Sequence, residues 1–297
     1  MRISEILAQR RPCVSFEFFP PKTDEGVEAL MRTVRSLRIL NPGFVSVTYG
    51  AGGSSRARTL EVITRIKAEL DIEPMAHVTC VGHSMTELRA LFREIERAGI
   101  ENIMALRGDA PVGAERFEAA QHGFRYASEL IDMLSDEFSF GIGAAAYPEK
   151  HQEAASLEAD IDNAVRKVAA GASFLVTQMF FDNDVYFAYV ERLRSAGVTV
   201  PVVPGIMPIT SYEAIGRMTA MSGARLPQRL LAELEARSDE PGAVADLGVA
   251  YMALQCQDLL ARGAPGLHFY TLNKSPATRA VVSALIAARS YRELIPL

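Results

Sequence analysis

Apolar residues fall in two rhythms along this 297-residue chain. Short runs rich in β-branched and aromatic residues alternate with longer stretches in which apolar positions recur every three or four residues. The first rhythm marks strands and the second amphipathic helices. Strands are predicted at 14–19, 44–49, 74–79, 102–106, 138–146, 174–178, 200–203 and 267–270. A short helix and a turn are expected within 1–12. Thr23-Asp24-Glu25 offers a helix start, and Val27, Leu30, Met31, Val34, Leu37 and Leu40 follow at helical spacing until Asn41-Pro42-Gly43 stops them. Further helices are predicted near 55–70, 86–99, 124–134, 156–170, 183–196, 211–221 and 276–288, with a loop over 112–123 and a turn at Gly50-Ala51-Gly52-Gly53 after the second strand. An extra helical segment covers about 226–262, before the last strand.

Strand and helix thus alternate about eight times without a linker or low-complexity break. That pattern predicts an α/β fold with a parallel sheet and crossover helices. Eight units in a chain of this length point to a (β/α)8 TIM barrel, a single catalytic domain over 1–297 carrying one helical insertion. An open doubly wound sheet is the alternative. It would bind a dinucleotide at a glycine-rich first turn, whereas strand one ends in Phe18-Phe19-Pro20-Pro21. Gly141-Ile142-Gly143-Ala144-Ala145-Ala146 matches G-x-G-x-x-A, but its glycines fall inside a predicted strand and Pro148 follows where a helix should open. It reads as small residues on a crowded strand.

Composition narrows the setting. Hydrophobic residues at 49% and charged residues at 23% are ordinary for a soluble globular protein. A net charge of −5 argues against a nucleic-acid partner and leaves room for a local basic pocket. Cys13, Cys80 and Cys256 are scattered and odd in number, which suits a reducing compartment. The start Met1-Arg2-Ile3-Ser4-Glu5 does not read as a secretory signal, and no run approaches the length of a membrane span. A cytoplasmic protein with no membrane partner is expected.

In a barrel the chemistry lies at the C-terminal ends of the strands. Those ends carry Glu17, Thr48, His77 and Thr79, then Arg107, Gly108 and Asp109, then Tyr147 with Glu149 and His151, then Gln178, and finally Asn273 and Lys274. Rims are polar in any protein, which accounts for Lys274 and His151 but poorly for Glu17 and Gln178, embedded in apolar strand sequence. Alternation puts Ser15, Glu17 and Phe19 on one face of the first strand and Val14, Phe16 and Phe18 on the other. Taken alone, Glu17 fits a structural ion pair and a catalytic role equally well. His77, Cys80 and His83 lack the second ligand pair that a zinc site needs, so no metal is expected. The serines form no G-x-S-x-G elbow. On the helix near 156–170, Asp160, Asn163 and Lys167 share a face with Arg166 beside them, either a solvated face or a polar ledge for a charged, hydroxylated cofactor.

Several stretches, in order over almost the whole chain, resemble the 5,10-methylenetetrahydrofolate reductase family. They are Val14-Ser15-Phe16-Glu17-Phe18-Phe19-Pro20-Pro21-Lys22, Val45-Ser46-Val47-Thr48-Tyr49-Gly50, Ala76-His77-Val78-Thr79-Cys80, Ala105-Leu106-Arg107-Gly108-Asp109, Ala145-Ala146-Tyr147-Pro148-Glu149 and His268-Phe269-Tyr270-Thr271-Leu272-Asn273. The likeness is to the bacterial, catalytic-domain-only form. It implies a flavin-bearing (β/α)8 barrel that reduces methylenetetrahydrofolate to 5-methyltetrahydrofolate with NADH or NADPH, in one-carbon metabolism and methionine supply. It also implies non-covalent FAD, a small-molecule folate substrate and a homo-oligomer. By the resemblance Glu17 is the general acid at the folate nitrogen whose departure opens the methylene bridge, its pKa raised if Phe16, Phe18 and Phe19 fold over it. Asp109 tunes the flavin and favours the cationic intermediate. Gln178 binds the pterin, and Lys274 stands where the family has an Arg for the glutamate tail. Thr48, His77, Arg107, Gly108, Asp109, Tyr126, Ala127, Tyr147, His151, Asp160, Asn163, Arg166 and Lys167 fall on flavin-contact positions.

Two departures set this chain apart. Gln178-Met179-Phe180-Phe181 replaces a Gln followed by three Phe, and Ala214 and Met218 stand where the pattern has a Gln and a stacking Phe. Met218 cannot stack as a ring. Two alternatives follow: a flavin- and folate-binding subunit that takes electrons from a partner protein, and a related flavin barrel such as a proline-dehydrogenase-like enzyme.

Overall fold

A computed structural model of the chain describes residues 1–49, 53–109 and 119–288. Most of the turn expected at Gly50–Gly53 and of the loop expected over 112–123 lies outside the described residues. Nine strands form one parallel sheet: β1 Cys13–Phe18, β2 Phe44–Val47, β3 Glu73–Thr79, β4 Asn102–Leu106, β5 Gly141–Ala146, β6 Phe174–Thr177, β7 Val202–Val203, β8 Gly205–Ile206 and β9 Gly266–Tyr270. Their order is β7-β6-β5-β4-β3-β2-β1-β9-β8. β7 and β8 are two halves of one extended run, so the ends of this order meet and the sheet is a (β/α)8 barrel whose seventh stave is broken. The break falls at Pro204, which has no N–H for the ladder. Its carbonyl still accepts from the His268 amide at 2.9 Å, which carries the seam across. Nine short strands therefore stand where eight were expected.

Eleven helices are described: α1 Ile3–Gln9, α2 Asp24–Arg38, α3 Gly53–Leu70, α4 Met85–Arg97, α5 Ala127–Glu137, α6 Leu157–Ala169, α7 Asn183–Ser195, α8 Tyr212–Ser222, α9 Gln228–Glu235, α10 Pro241–Ala261 and α11 Pro276–Ala287. Local chemistry sets several of their ends. The Thr23 hydroxyl accepts from the Gly26 amide at the start of α2, and Ser84 and Glu87 form a capping box on α4. α5 begins at Ala127, later than the apolar pattern suggests, because the Glu129 carboxylate holds the Arg125 and Tyr126 amides outside the helix. The predicted strand at 138–146 shortens to β5 because Phe138 and Phe140 pack as a ring cluster with Phe92, at 5.6 and 6.1 Å between centroids. The helical segment at 226–262 is two helices, with Pro241 opening the second. Among the described residues no helix is long and apolar enough to cross a membrane.

Alternation along the strands divides the core. Val14, Phe16 and Phe18 of β1 join Val45, Val47, Ala76 and Val78 in the layer between sheet and helices. Inside the barrel, Cys13, Phe44, Met75, Met104 and Phe174 form an apolar floor at the N-terminal end, and α1 plugs it with Ile3, Ile6 and Leu7. The glycines of the G-x-G-x-x-A stretch serve packing. A Cβ on Gly143 would sit 2.5 Å from the Phe174 ring. A third cluster unites Met179 and Phe181 after β6 and Met207 and Ile209 after β8 with Ile215 of α8, Leu230 and Leu234 of α9 and Val244 of α10. Gln255 of α10 donates to the Phe180 carbonyl at 2.9 Å, and the Tyr251 hydroxyl donates to that of Phe181. The helical insertion thus buries the loops that follow β6 and β8.

Candidate active site

Above the apolar floor the barrel interior turns polar. Register places Glu17 of β1 beside Ser46 of β2 and Tyr270 of β9. The inward positions of β1, β2, β3 and β9 are Ser15 and Glu17, Ser46, His77, and His268, all buried. Glu17 Oε2 accepts from Ser46 Oγ at 3.3 Å and lies 3.3 Å from His268 Nε2 and 3.3 Å from His77 Nε2. The Glu17 backbone is pinned as well, since the Thr271 hydroxyl and amide both donate to its carbonyl, at 2.6 and 3.2 Å. His77 approaches Oε2 without hydrogen-bond alignment, so its Nε2 is a buried polar atom with no hydrogen-bond partner, as is the Thr79 hydroxyl one layer higher on β3. Such groups are costly to leave without a hydrogen bond.

Burial pushes the Glu17 carboxyl up. His77, His268 and Ser46 pull it down and prevail, so the carboxyl lies below the ordinary carboxylate value. Burial holds His77 below the usual imidazole value, against the pull of Glu17. Tyr270 is driven well above the usual phenol value by burial and then by the Glu17 charge, and its hydroxyl donates to the Thr177 carbonyl at 2.6 Å. That hydroxyl would sit 2.5 Å from a Cβ on Gly205, which explains the glycine in the broken stave. The expectation that Phe16, Phe18 and Phe19 fold over Glu17 is overturned. Phe16 and Phe18 point to the outer layer, where Phe16 packs against Phe269, and Phe19 is 44% exposed. Alternation forbids neighbours in a strand from sharing a face. The company of Glu17 is imidazole and hydroxyl, not phenyl.

A second polar region runs from the end of β4 across the loop after β5 to α6. Asp160 is buried and accepts from the His151 amide at 3.0 Å. Lys167 Nζ donates to the Ala145 carbonyl at 2.8 Å and lies 5.5 Å from the centre of the Tyr147 ring. His151 meets Tyr147 edge-on at 4.8 Å. Burial lowers the Lys167 pKa to about 8, with Asp160 opposing. Arg107 Nη2 binds Glu153 at 2.7 Å, and its Nε donates to the Gly108 carbonyl at 3.1 Å. Gly108 has φ 87°, and a Cβ there would meet Val81 at 2.6 Å, so glycine is required twice over. Asn163 is half-buried and bonds the exposed Arg166 at 3.3 Å. This face of α6 is therefore anchored to the sheet rather than merely solvated.

The predicted residues separate into groups. Glu17 and His77 meet directly. Arg107, Gly108, Tyr147, His151, Asp160 and Lys167 form the ledge, and Asp109 stands exposed at its edge. Tyr126 and Ala127 open α5 beside β3, where Cys80 Sγ reaches the Tyr126 carbonyl at 3.7 Å. Thr48 sits at the end of β2, its amide on the Phe18 carbonyl at 2.8 Å. Gln178 lines a small recess with Tyr147, Glu149 and Ala224, and Arg225 closes one side by its ion pair with Glu149 at 2.8 Å. Lys274 is exposed after β9, with no described contact to the other site residues. The sequence reading missed His268, Ser15 and Ser46 as site residues. The signal was present: Gly266, His268 and Tyr270 alternate with Leu267 and Phe269, which puts an imidazole on the inner face of β9. Among the described residues no group of three or more His, Cys, Asp or Glu is arranged to hold a metal ion.

These features define a (β/α)8 barrel with an ionisable cluster and a cationic ledge at its C-terminal face. The chain belongs to the methylenetetrahydrofolate reductase family, whose model matches residues 2–286. It is 39% identical over 273 residues to 5,10-methylenetetrahydrofolate reductase of Escherichia coli, covering 92% of this chain and 90% of that protein. It is 38% identical over 283 residues to methylenetetrahydrofolate reductase (NADH) 1 of Zea mays, covering 92% of this chain. The chain spans about half the length of the plant relatives, 48% in that case. Among solved structures it resembles an uncharacterised Clostridium thermocellum protein that binds two copies of 5-methyl-5,6,7,8-tetrahydrofolic acid, with a TM-score of 0.66 at 14% identity over 97% of this chain and 99% of that one. It also resembles dihydropteroate synthase from Xanthomonas albilineans, with a TM-score of 0.53 at 19% identity over 96% and 94%. These two likenesses concern the fold alone.

Proposed function

We propose that this protein reduces 5,10-methylenetetrahydrofolate to 5-methyltetrahydrofolate with a reduced nicotinamide nucleotide, using bound FAD, and that Glu17 is its general acid. The observation that carries the reading is the setting of the Glu17 carboxylate. One oxygen is held by Ser46 and His268, and no described residue bonds the other, Oε1. A carboxyl fixed through one oxygen can present the second to a substrate in a defined direction.

The residues present suit a flavin dinucleotide. Arg107, Arg166 and Lys167 supply positive charge for a pyrophosphate, and Asp160 and Asn163 supply partners for hydroxyl groups. His77 Nε2 and Thr79 Oγ1 are buried polar atoms lacking partners at the same face. Burial lowers Lys167 to about 8, and a bound pyrophosphate would favour its charged form. A flavin supplies hydride transfer, which no side chain offers. The protein's own part is to bind, orient and manage one proton. Glu17 donates that proton to the folate nitrogen that leaves the methylene bridge, Gln178 hydrogen-bonds the pterin, and Asp109 places negative charge where the cationic intermediate forms. Lys274 meets the glutamate tail as a point charge.

The test separates the two half-reactions of purified, flavin-loaded protein. Glu17→Gln is expected to leave reduction of bound flavin by NADH intact while slowing folate reduction by about 10²-fold or more. Equal loss of both half-reactions, or full folate turnover, rejects the general-acid role. Protein that binds folate and flavin but accepts electrons from neither NADH nor NADPH favours the partner-dependent subunit instead, a reading that Met218 in place of a stacking ring supports.

A further inference from the structure

We propose that Glu153 occupies Arg107 as a displaceable stand-in for a cofactor phosphate, and that this competition sets how tightly the protein holds its flavin dinucleotide. The inference rests on the flavin reading above, in which Arg107 meets the pyrophosphate. Arg107 Nη1 and Nη2 bind Glu153 Oε2 and Oε1 at 2.5 and 2.7 Å, a two-pronged pairing. The remaining nitrogen, Nε, donates to the Gly108 carbonyl at 3.1 Å. A guanidinium fork suits a carboxylate and a phosphate alike, so the two anions compete for it. Of the three ledge cations, Arg107 alone forms an ion pair among the described residues. Lys167 is tied to the Ala145 carbonyl and Arg166 to the Asn163 side chain.

The two partners are not equally free to leave. The Arg107 side chain is 20% exposed and that of Glu153 57%. A guanidinium so far buried needs a counter-charge in the flavin-free protein. A carboxylate at the surface turns to water at small cost. The main chain beneath Glu153 is tied down on both sides. Lys150 Nζ donates to the carbonyls of His151, Gln152 and Ala154 at 3.2, 3.3 and 2.7 Å, and the Glu153 amide donates to His151 Nδ1 at 3.1 Å. The Gln152 side-chain amide clamps the same loop to the Ala220 and Met221 carbonyls of α8, both at 3.0 Å. Exchange therefore needs a rotation of the Glu153 side chain and no rearrangement of the loop.

Glu153→Gln tests this competition, since glutamine keeps an acceptor for the guanidinium and loses the charge. In flavin-free protein titrated with FAD and read by quenching of flavin fluorescence, the variant is expected to bind about threefold or more tighter than wild type. The gain should shrink as salt is raised, because binding to the variant forms an ion pair without breaking one. It should vanish in an Arg107→Gln background, where no fork is left to compete for. Equal or weaker binding by Glu153→Gln overturns the proposal and makes Glu153 a fixed support of Arg107. A gain of the same size without Arg107 overturns it too, since Glu153 would then act only as a nearby negative charge. Wild-type protein that binds no FAD defeats the flavin reading itself, and the two failures are thereby told apart.

Discussion

The two ends of the barrel treat buried polarity in opposite ways. At the N-terminal end α1 closes an apolar floor, and the polar side chain of Asn102 there is satisfied. It accepts from the Ile3 amide at 2.8 Å and donates to the Met1 carbonyl at 2.9 Å and to Glu73 at 3.1 Å. At the C-terminal end Glu17, two histidines and two serines crowd into the interior, and His77 Nε2 and Thr79 Oγ1 have no hydrogen-bond partner. Both ends lie inside one barrel and are built from neighbouring positions of the same strands. What differs is completeness: the network around Asn102 closes on itself, and the one around Glu17 leaves buried polar atoms without a hydrogen bond.

The largest test of that contrast is Asn102→Ala. It leaves the Ile3 amide buried without an acceptor, which costs about 1–3 kcal/mol of stability. Denaturant unfolding should show this loss while folate turnover by the folded, flavin-loaded enzyme is unchanged. A fall in turnover with no loss of stability would mean that the floor is not merely structural. A smaller effect of opposite sign is expected at the other end. Thr79→Val keeps the side-chain shape against Gly108, whose notional Cβ lies 3.1 Å from Thr79 Cβ, and removes a hydroxyl that has no partner. Stability should hold or rise by about 1 kcal/mol in flavin-free protein. A clear loss would show that the hydroxyl is satisfied after all.

Most of the fold was legible because strand alternation and helical spacing are local signals. The inner and outer faces of β1 and the cap of α2 follow from neighbours in sequence. What escaped depends on residues distant in the chain. The division of the seventh stave required Pro204 to meet β9, and Phe138 left the predicted strand because Phe92 offered a ring cluster. In the site, Glu17 was visible as a carboxylate in an apolar strand, but its partners were not. Ser46, His77 and His268 come from three other strands, and a single strand reveals only which residues point inward. The expected phenyl lining failed for that reason. The polarity of the inner face is set by all the staves together, and adjacent residues on one stave cannot supply it.

The subtlest way to sharpen the contrast between the two ends is the pH dependence of stability that the open, ionisable network imposes. In the folded protein His77 lies below its ordinary value of 6.5 because it is buried. Between 6.5 and that lowered value the unfolded chain binds more protons than the folded one, so stability falls as pH falls through this window. Glu17 is also lowered. Its contribution is complete above the ordinary carboxylate value of 4.5 and is lost as pH drops through the folded one. Both groups act in the same direction, in successive windows. Replacing His77 by Gln removes the upper step, and it also weakens the lower one because His77 leads the pull that holds Glu17 down. The variant should therefore lose stability less steeply than wild type on acidification from about pH 6.5, with a difference below about 1 kcal/mol at pH 6 in flavin-free protein. The opposite sign, a steeper acid limb without His77, would mean that Glu17 keeps His77 protonated in the folded state, and the open network would then be an ion pair.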